Sequence, residues 1–226
     1  MSKVTTLTII VPVFNEEENL SELISRLDLV RSKLSRAYDM RYLFVNDGST
    51  DTTAEQLRNE NEKNQALSFL SLSRNFGHQQ ALSAALAHAR DSDLIALLDG
   101  DLQDPPEAIP QMLSKIGTEY DVVFAIRGDR PEGALKRAAY RTFYNLANRL
   151  SDVPLPIQSG DFSIFTRRVR REMVNCEEKL RYVRGLRSFV GFKQIGIVVD
   201  RGERFAGVPK YTSRKLIGLA LDGIFS

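Results

Sequence analysis

The sequence predicts an α/β fold built on an open, mostly parallel sheet flanked by helices, and three observations carry that expectation. Short apolar runs rich in β-branched residues recur through the first half of the chain, and each is followed by a stretch with helical apolar spacing. Each run also stops at a polar cluster, and open α/β sheets bind ligands outside the carboxyl ends of their strands. With 226 residues and 42% hydrophobic content, the chain has the material for one large domain and is ordinary globular protein.

Leu7 to Val13 is the first such run, continuous enough to be buried on both faces of a parallel sheet. Asn15 is placed to cap the next helix with Glu18 three residues on, and Leu20, Leu23, Ile24, Leu27 and Leu34 then recur at helical spacing. Tyr42 to Val45 gives a second strand, which stops at Asn46-Asp47-Gly48-Ser49, and Thr52 with Glu55 offers a second capping box. Leu67 to Leu72 is the third strand, Arg74-Asn75-Phe76-Gly77 a turn, and His78 to Arg90 an alanine-rich helix able to pack closely on a sheet. Leu94 to Leu98 is the fourth strand. Asn15, Asp47, Arg74 and Asp101 therefore all fall at strand ends.

After Pro105-Pro106 a helix is expected over Glu107 to Ile116, then a strand over Val122 to Ala125. Residues 133–150 read as one helix in which Leu135, Phe143, Leu146 and Leu150 alternate with Lys136, Arg137, Arg141 and Arg149. Such a helix suits either an anionic lipid surface or packing on the sheet with solvated arginines. Val153-Pro154-Leu155-Pro156 is a linker, Phe162 to Thr166 and Lys193 to Val199 are strand candidates, and Leu216 to Phe225 is a short, mostly apolar helix.

Several functional classes lose support. A single cysteine, Cys176, forms no internal disulfide, and without an N-terminal secretory signal a reducing cytosolic compartment is expected. No apolar run is long enough to span a bilayer. Neither the dinucleotide fingerprint nor a Gly-Lys-Ser/Thr phosphate loop occurs. His78 and His88 are the only histidines, and their spacing puts them on different helical faces, so a zinc-type site is not expected. The net charge of +2 hides an asymmetry: residues 1–126 carry 11 Lys/Arg against 19 Asp/Glu, and residues 127–226 carry 20 against 10. An acidic half suits a metal-dependent site and a basic half suits phosphate groups.

Asp99-Gly100-Asp101 is the sharpest local signal. Two carboxylates at i and i+2, where a buried strand opens into a loop, can share one divalent cation, and hard oxygen ligands suit Mg²⁺ or Mn²⁺ holding a diphosphate. The same residues also make an ordinary strand-ending turn.

Taken together, Val11-Pro-Val-Phe-Asn-Glu-Glu-Glu-Asn19, Val45-Asn-Asp-Gly-Ser-Thr-Asp51, Arg74-Asn-Phe-Gly77 and Asp99-Gly-Asp-Leu-Gln-Asp-Pro-Pro-Glu107 resemble the inverting family-two glycosyltransferases of GT-A fold. With Gly160-Asp-Phe162 and Arg204-Phe-Ala-Gly-Val-Pro-Lys-Tyr211 the likeness narrows to the polyprenyl-phosphate branch, which includes dolichol-phosphate mannose synthases and undecaprenyl-phosphate glucosyltransferases. The resemblance implies that Pro12, Asn15 and Glu16 line the nucleobase and ribose pocket and that Asp47 reads the base. It implies that Asp99, with Gly100 beside it, contacts ribose or metal, that Asp101 holds the metal, and that Gln103 completes its coordination.

Asp161 matches the family's proposed catalytic base. A lipid monophosphate is already ionised near neutral pH, so Asp161 is equally suited to orienting the substrate or the metal site. Arg127, Lys136 and Arg141 are candidates for gripping the acceptor phosphate. Arg204, Lys210 and Tyr211 match a late basic motif expected to close over the diphosphate.

The implied protein is one GT-A catalytic domain over 1–226. About 1–126 would serve nucleotide sugar and metal, about 127–211 the acceptor, and 212–226 would form a juxtamembrane helix. The implied reaction is metal-dependent, inverting transfer of a hexosyl unit, with UDP-glucose favoured, to undecaprenyl or a related polyprenyl phosphate at the cytoplasmic membrane face. The alternatives are a polysaccharide or protein acceptor, or N-acetylhexosamine, mannose or aminoarabinose as the sugar. The implied partners are the nucleotide sugar, the lipid phosphate and a membrane surface, with no nucleic acid, and a homo-oligomer is left open. Members of the branch usually continue into transmembrane helices, and this sequence ends at Ser226.

Overall fold

Alternation along the first strand sets the architecture. In the computed structural model, which describes residues 4–117, 119–127, 159–176 and 182–200, β1 (Thr5–Val13) directs Leu7, Ile9, Val11 and Val13 into one apolar layer and Ile10 into another. A strand covered on both faces has no need of polar side chains, and these five are essentially inaccessible to solvent. The first layer lies under α1 (Leu20–Leu34), α2 (Thr53–Lys63) and a 3₁₀ turn (Pro106–Ala108) that runs into α4 (Ile109–Leu113), α3 being His78–His88 on the opposite face. The second layer lies under α3, α5 (Arg167–Asn175) and α6 (Val183–Phe189).

The remaining strands are β2 (Tyr38–Asn46), β3 (Leu67–Ser71), β4 (Leu94–Leu97), β5 (Val122–Arg127), β6 (Ser159–Thr166) and β7 (Gln194–Val199). They pair in the order β3-β2-β1-β4-β6-β5-β7. β1 pairs parallel with β2 and β4, β2 with β3, and β5 with β7, while β6 runs antiparallel to both β4 and β5. The expected mostly parallel sheet with helices on its faces is thus present, with one reversed strand near its middle.

Both expected capping boxes are absent. Asn15 stands outside the helix with φ 51, and α1 begins at Leu20 after Asn19, which makes no side-chain capping bond. The Asn15 side chain instead accepts from the Thr50 amide at 2.8 Å, tying the β1 loop to the β2 loop. Thr52 likewise donates its hydroxyl to Glu17 at 2.5 Å instead of capping α2. The helix expected over Glu107 to Ile116 shortens to the 3₁₀ turn and α4. α5 and α6 were not foreseen: Val169 and Met173 of α5 are buried among five basic or acidic neighbours that mask the apolar stripe, and α6 carries a glycine between two arginines. The helices expected over 133–150 and Leu216 to Phe225 lie outside the described residues, as does the linker Val153 to Pro156.

Candidate active site

The reversal of β6 builds the site. Parallel strands β1 to β4 bring their carboxyl ends to one edge of the sheet, and the antiparallel partner arrives there with its amino end. Leu97 of β4 faces Ser163 of β6. Two residues further along each chain, in opposite directions, stand Asp99 and Asp161.

Between these carboxylates sits His78, the first residue of α3. Its Nε2 is 3.7 Å from Asp99 Oδ1 and 3.5 Å from Asp161 Oδ2. Arg184 of α6 closes the other side, with one terminal nitrogen 3.2 Å from Asp161 Oδ2 and Nε donating to Oδ1 at 3.3 Å. The neighbouring α6 is held against α3 by the Val183 amide donating to Gln79 Oε1 at 2.8 Å.

The two carboxyls titrate in opposite directions. Burial pushes the Asp99 carboxyl up to about 6; His78 opposes that rise, and Asp161, Asp104 and Asp101 add to it. Burial also disfavours charge on Asp161, but its hydrogen bond to His78 and the Arg184 guanidinium hold it well below the usual carboxylate range. Partial burial of His78 disfavours its cation, yet Asp161 and Asp99 raise its pKa overall. Carboxyls driven apart in this way are characteristic of functional sites.

Loop geometry supports the cluster. A side chain at Gly100 would meet Val13 Cγ1 at 2.9 Å and the Pro12 carbonyl at 3.2 Å, so glycine allows the β4 loop to rest on the end of β1. Asp101 Oδ1 accepts from the Gln103 amide at 3.1 Å, and Leu102 buries its side chain with φ 61. Pro12 is buried. Glu16 is buried too, its carboxylate accepting from Asn19 Nδ2 at 2.5 Å and its amide donating to Thr53 Oγ1 at 2.9 Å.

Asp47, which the resemblance assigns to reading the base, directly follows β2. Its side chain is buried, with Oδ1 accepting from the Phe76 amide at 2.8 Å and Oδ2 from the Gly77 amide at 2.9 Å. Both oxygens thus hold the Arg74-to-Gly77 turn, which defines the approach to His78.

Among the described residues, the group whose ligand atoms lie within 4.8 Å of one another is His78, Asp99 and Asp161. Asp99 is common to this group and to the expected metal set Asp99, Asp101 and Gln103. The two histidines' spacing and the single cysteine argued against a zinc-type site; His78 nevertheless stands beside two carboxylates, which come from the β4 loop and from β6. Arg184 was also missed; its signal would have been the Arg-x-x-Arg pair at one-turn spacing downstream of Gly160-Asp161. Arg127 ends β5, with its side chain outside the description, and Lys136, Arg141, Arg204, Lys210 and Tyr211 lie outside the described residues.

The family model described as Glycosyl transferase family 2 matches residues 8–174. The chain belongs to that family. This family 2 glycosyltransferase is 41% identical over 225 residues to the uncharacterized glycosyltransferase YkcC of Bacillus subtilis (strain 168), covering 99% of the present chain and 69% of that protein. It is 35% identical to a bactoprenol glucosyl transferase of Shigella phage SfV over 221 residues, or 97% of this chain and 71% of that one.

Solved structures agree on the GT-A fold. The mannosyltransferase PcManGT from Pyrobaculum calidifontis, in complex with GDP-Man and Mn²⁺, superposes with a TM-score of 0.62 at 20% identity, over 95% of this chain and 60% of that one. Glucosyl-3-phosphoglycerate synthase from Mycobacterium tuberculosis, with Mn²⁺, UDP and phosphoglyceric acid, gives 0.61 at 18% identity over 96% and 75%. The chain thus spans about seven-tenths of the curated relatives and 60% of the Pyrobaculum enzyme. Among the described residues no helix is long and apolar enough to cross a membrane.

Proposed function

We propose that this glycosyltransferase transfers a hexosyl unit, in a metal-dependent and inverting reaction, from a nucleotide sugar to undecaprenyl phosphate or a related polyprenyl phosphate at the cytoplasmic membrane face. UDP-glucose is the favoured donor. The single observation carrying the reading is the convergence of Asp99, Asp161 and His78 at the carboxyl edge of the sheet, beside Asp101 and Asp104. The bactoprenol glucosyl transferase relative supports the lipid acceptor.

The donor set fits Mg²⁺ or Mn²⁺. Several carboxylates crowd one partly buried site, and the repulsion from Asp161, Asp104 and Asp101, which adds to the burial-driven rise of Asp99, is what a divalent cation would relieve. Asp99 and Asp101 would hold it, with Gln103 in the same loop and His78 of α3 and Asp161 of β6 beside Asp99. When bound, the cation supplies charge neutralisation for the departing nucleoside diphosphate.

The chain's own residues then divide the remaining work. Asp161, kept ionised by His78 and Arg184, orients the acceptor or the metal site, because a phosphate monoester already presents an anionic oxygen. That oxygen attacks the anomeric carbon in line with the leaving diphosphate, and one displacement turns an α-linked donor into a β-linked product. Pro12, Asn15 and Glu16 shape the nucleotide side, with Asp47 fixing the adjoining turn. On this reading residues 1–126 serve the donor, Arg127, Lys136, Arg141, Arg204, Lys210 and Tyr211 grip anionic groups of acceptor and diphosphate, and 212–226 lie along the membrane.

Radiolabelled UDP-glucose incubated with Mn²⁺ and undecaprenyl phosphate should deliver label to the organic phase. Label that reaches only aqueous polymer or protein rejects the lipid acceptor, and a parallel screen of other nucleotide sugars fixes the donor.

A further inference from the structure

Arg187 is the most anomalous side chain described. It is the largest fully buried side chain described, 1% exposed, and among the described residues no carboxylate stands within ion-pair distance of it, the more distant Asp161 charge favouring its cation. One terminal nitrogen reaches the Gly160 carbonyl at a long 3.4 Å, while Nε and the other terminal nitrogen have no hydrogen-bond partner. The guanidinium lies 4.9 Å from the centroid of the Phe124 ring. Burial pushes its pKa down to about 10, still leaving it a cation. A buried guanidinium with unfilled donors is costly, and an anion that reaches it would satisfy both its charge and those donors.

Its surroundings say which ligand. Arg187 stands one helical turn after Arg184 on α6, so the two side chains share a face. Arg184 contacts Asp161, and Arg187 contacts the carbonyl of Gly160, the preceding residue. Two arginines therefore flank the same two residues of β6. Two of Arg187's nitrogens are unused donors, and an oxyanion with several acceptor oxygens answers a guanidinium fork better than any neutral group.

We propose that Arg184 and Arg187 form a phosphate-binding pair beside Asp161 that receives a phosphoryl group of one of the two substrates. The inference rests on the transferase reading and deepens it. Both substrates carry phosphate, the donor in its diphosphate and the acceptor in its headgroup, and the chemistry recognised is the same. In this arrangement Arg184 serves two anions, Asp161 before the substrate arrives and the phosphoryl group afterwards, while Arg187 supplies two nitrogens that have no hydrogen-bond partner.

The test uses the whole chain with substitutions Arg187→Lys, Arg187→Met and Arg184→Gln, and Arg171→Gln, an exposed arginine of α5, as the charge-matched control. Affinities for UDP with Mn²⁺ and for farnesyl phosphate are measured separately by calorimetry, and thermal melting is followed for every variant. The expected result is a loss of about 10-fold or more in affinity for one of the two probes in Arg184→Gln and Arg187→Lys, as befits a lost charge-assisted hydrogen bond. Arg171→Gln should match the parent. Weakened farnesyl phosphate assigns the pair to the acceptor, and weakened UDP assigns it to the diphosphate.

Arg187→Met separates binding from architecture. A ligand-binding arginine predicts a melting temperature equal to or above the parent together with lost affinity, because the buried charge is gone. Should Arg187→Met fail to fold, Arg184→Gln still decides. Folded Arg184→Gln and Arg187→Lys proteins with both affinities unchanged would overturn the pair. If the parent transfers no sugar to lipid yet its phosphate affinity still depends on these arginines, the acceptor assignment fails and the subsite stands.

Discussion

Asp101 and Asp47 show how residues of one type at neighbouring strand ends do different work. Asp101 adds a carboxylate to the repulsion felt by Asp99, and its own Oδ1 closes a turn on the Gln103 amide. Asp101→Asn keeps that turn while removing the charge, so kcat/KM should fall about 100-fold or more with the melting temperature nearly unchanged, as expected when charge is removed from a metal-binding carboxylate. Excess Mn²⁺ should recover part of the loss in steady-state assays. Asp47 accepts two amide protons in a buried position. In Asp47→Asn one of those amides would face an NH₂ donor, so the variant should lose about 2 kcal/mol in urea unfolding, as for a lost hydrogen bond to a buried charge. The sequence makes the Asp99-Gly100-Asp101 pair visible because both acids lie in one loop. The turn-holding bonds of Asp47 are not visible there, since its partners Phe76 and Gly77 belong to the next strand's loop and only the fold brings them within reach. His78 was missed for the same reason.

The strands and α1 to α3 were legible because each carries a period that reports its own burial: the alternation of Leu7, Ile9 and Val11 against Ile10, or Leu20, Leu23, Ile24 and Leu27 along α1. α5 was not, because Arg170 is buried by donating to the Leu86 and Ala87 carbonyls at the end of α3, and no periodicity distinguishes such an arginine from a solvated one. The caps failed for a related reason. Asn15 and Thr52 had partners nearer than the helix ends, in loops that meet only when β1 and β2 pair. Loop-to-loop contact is also where the fold is least forgiving. Gly48 has φ +68, and a Cβ there would stand 2.3 Å from the Arg74 carbonyl carbon and 2.6 Å from the Asn75 amide nitrogen. Gly48→Ala combines left-handed strain with backbone overlap and should cost about 3 kcal/mol, read as a lower urea midpoint with an unchanged m-value.

The sheet as a whole converts one reversed strand into an acidic pocket, and the protein's pH dependence should carry its mark. Asp99 has a folded pKa raised to about 6 by burial and by neighbouring acids. Its contribution to stability is therefore complete below the ordinary carboxylate range and disappears as pH rises through about 6. Asp161 runs the other way, its depressed pKa stabilising the fold above the ordinary range and losing that contribution only in acid. At neutral pH the metal-free protein thus carries unrelieved repulsion around Asp99, and a divalent cation with a nucleotide should remove it. Because ligation requires the deprotonated carboxylate, protons compete with the cation below pH 6. UDP with Mn²⁺ at about 100 times its dissociation constant contributes about 2.7 kcal/mol, which for a chain of this length raises Tm by about 5–10 °C. UDP with a chelator should give little of that shift at pH 7.5, and the full mixture should lose most of it by pH 5. A UDP shift of equal size with and without the cation, or one that holds undiminished at pH 5, would detach the nucleotide site from the Asp99 cluster and leave the acids at the end of β4 without the role proposed for them.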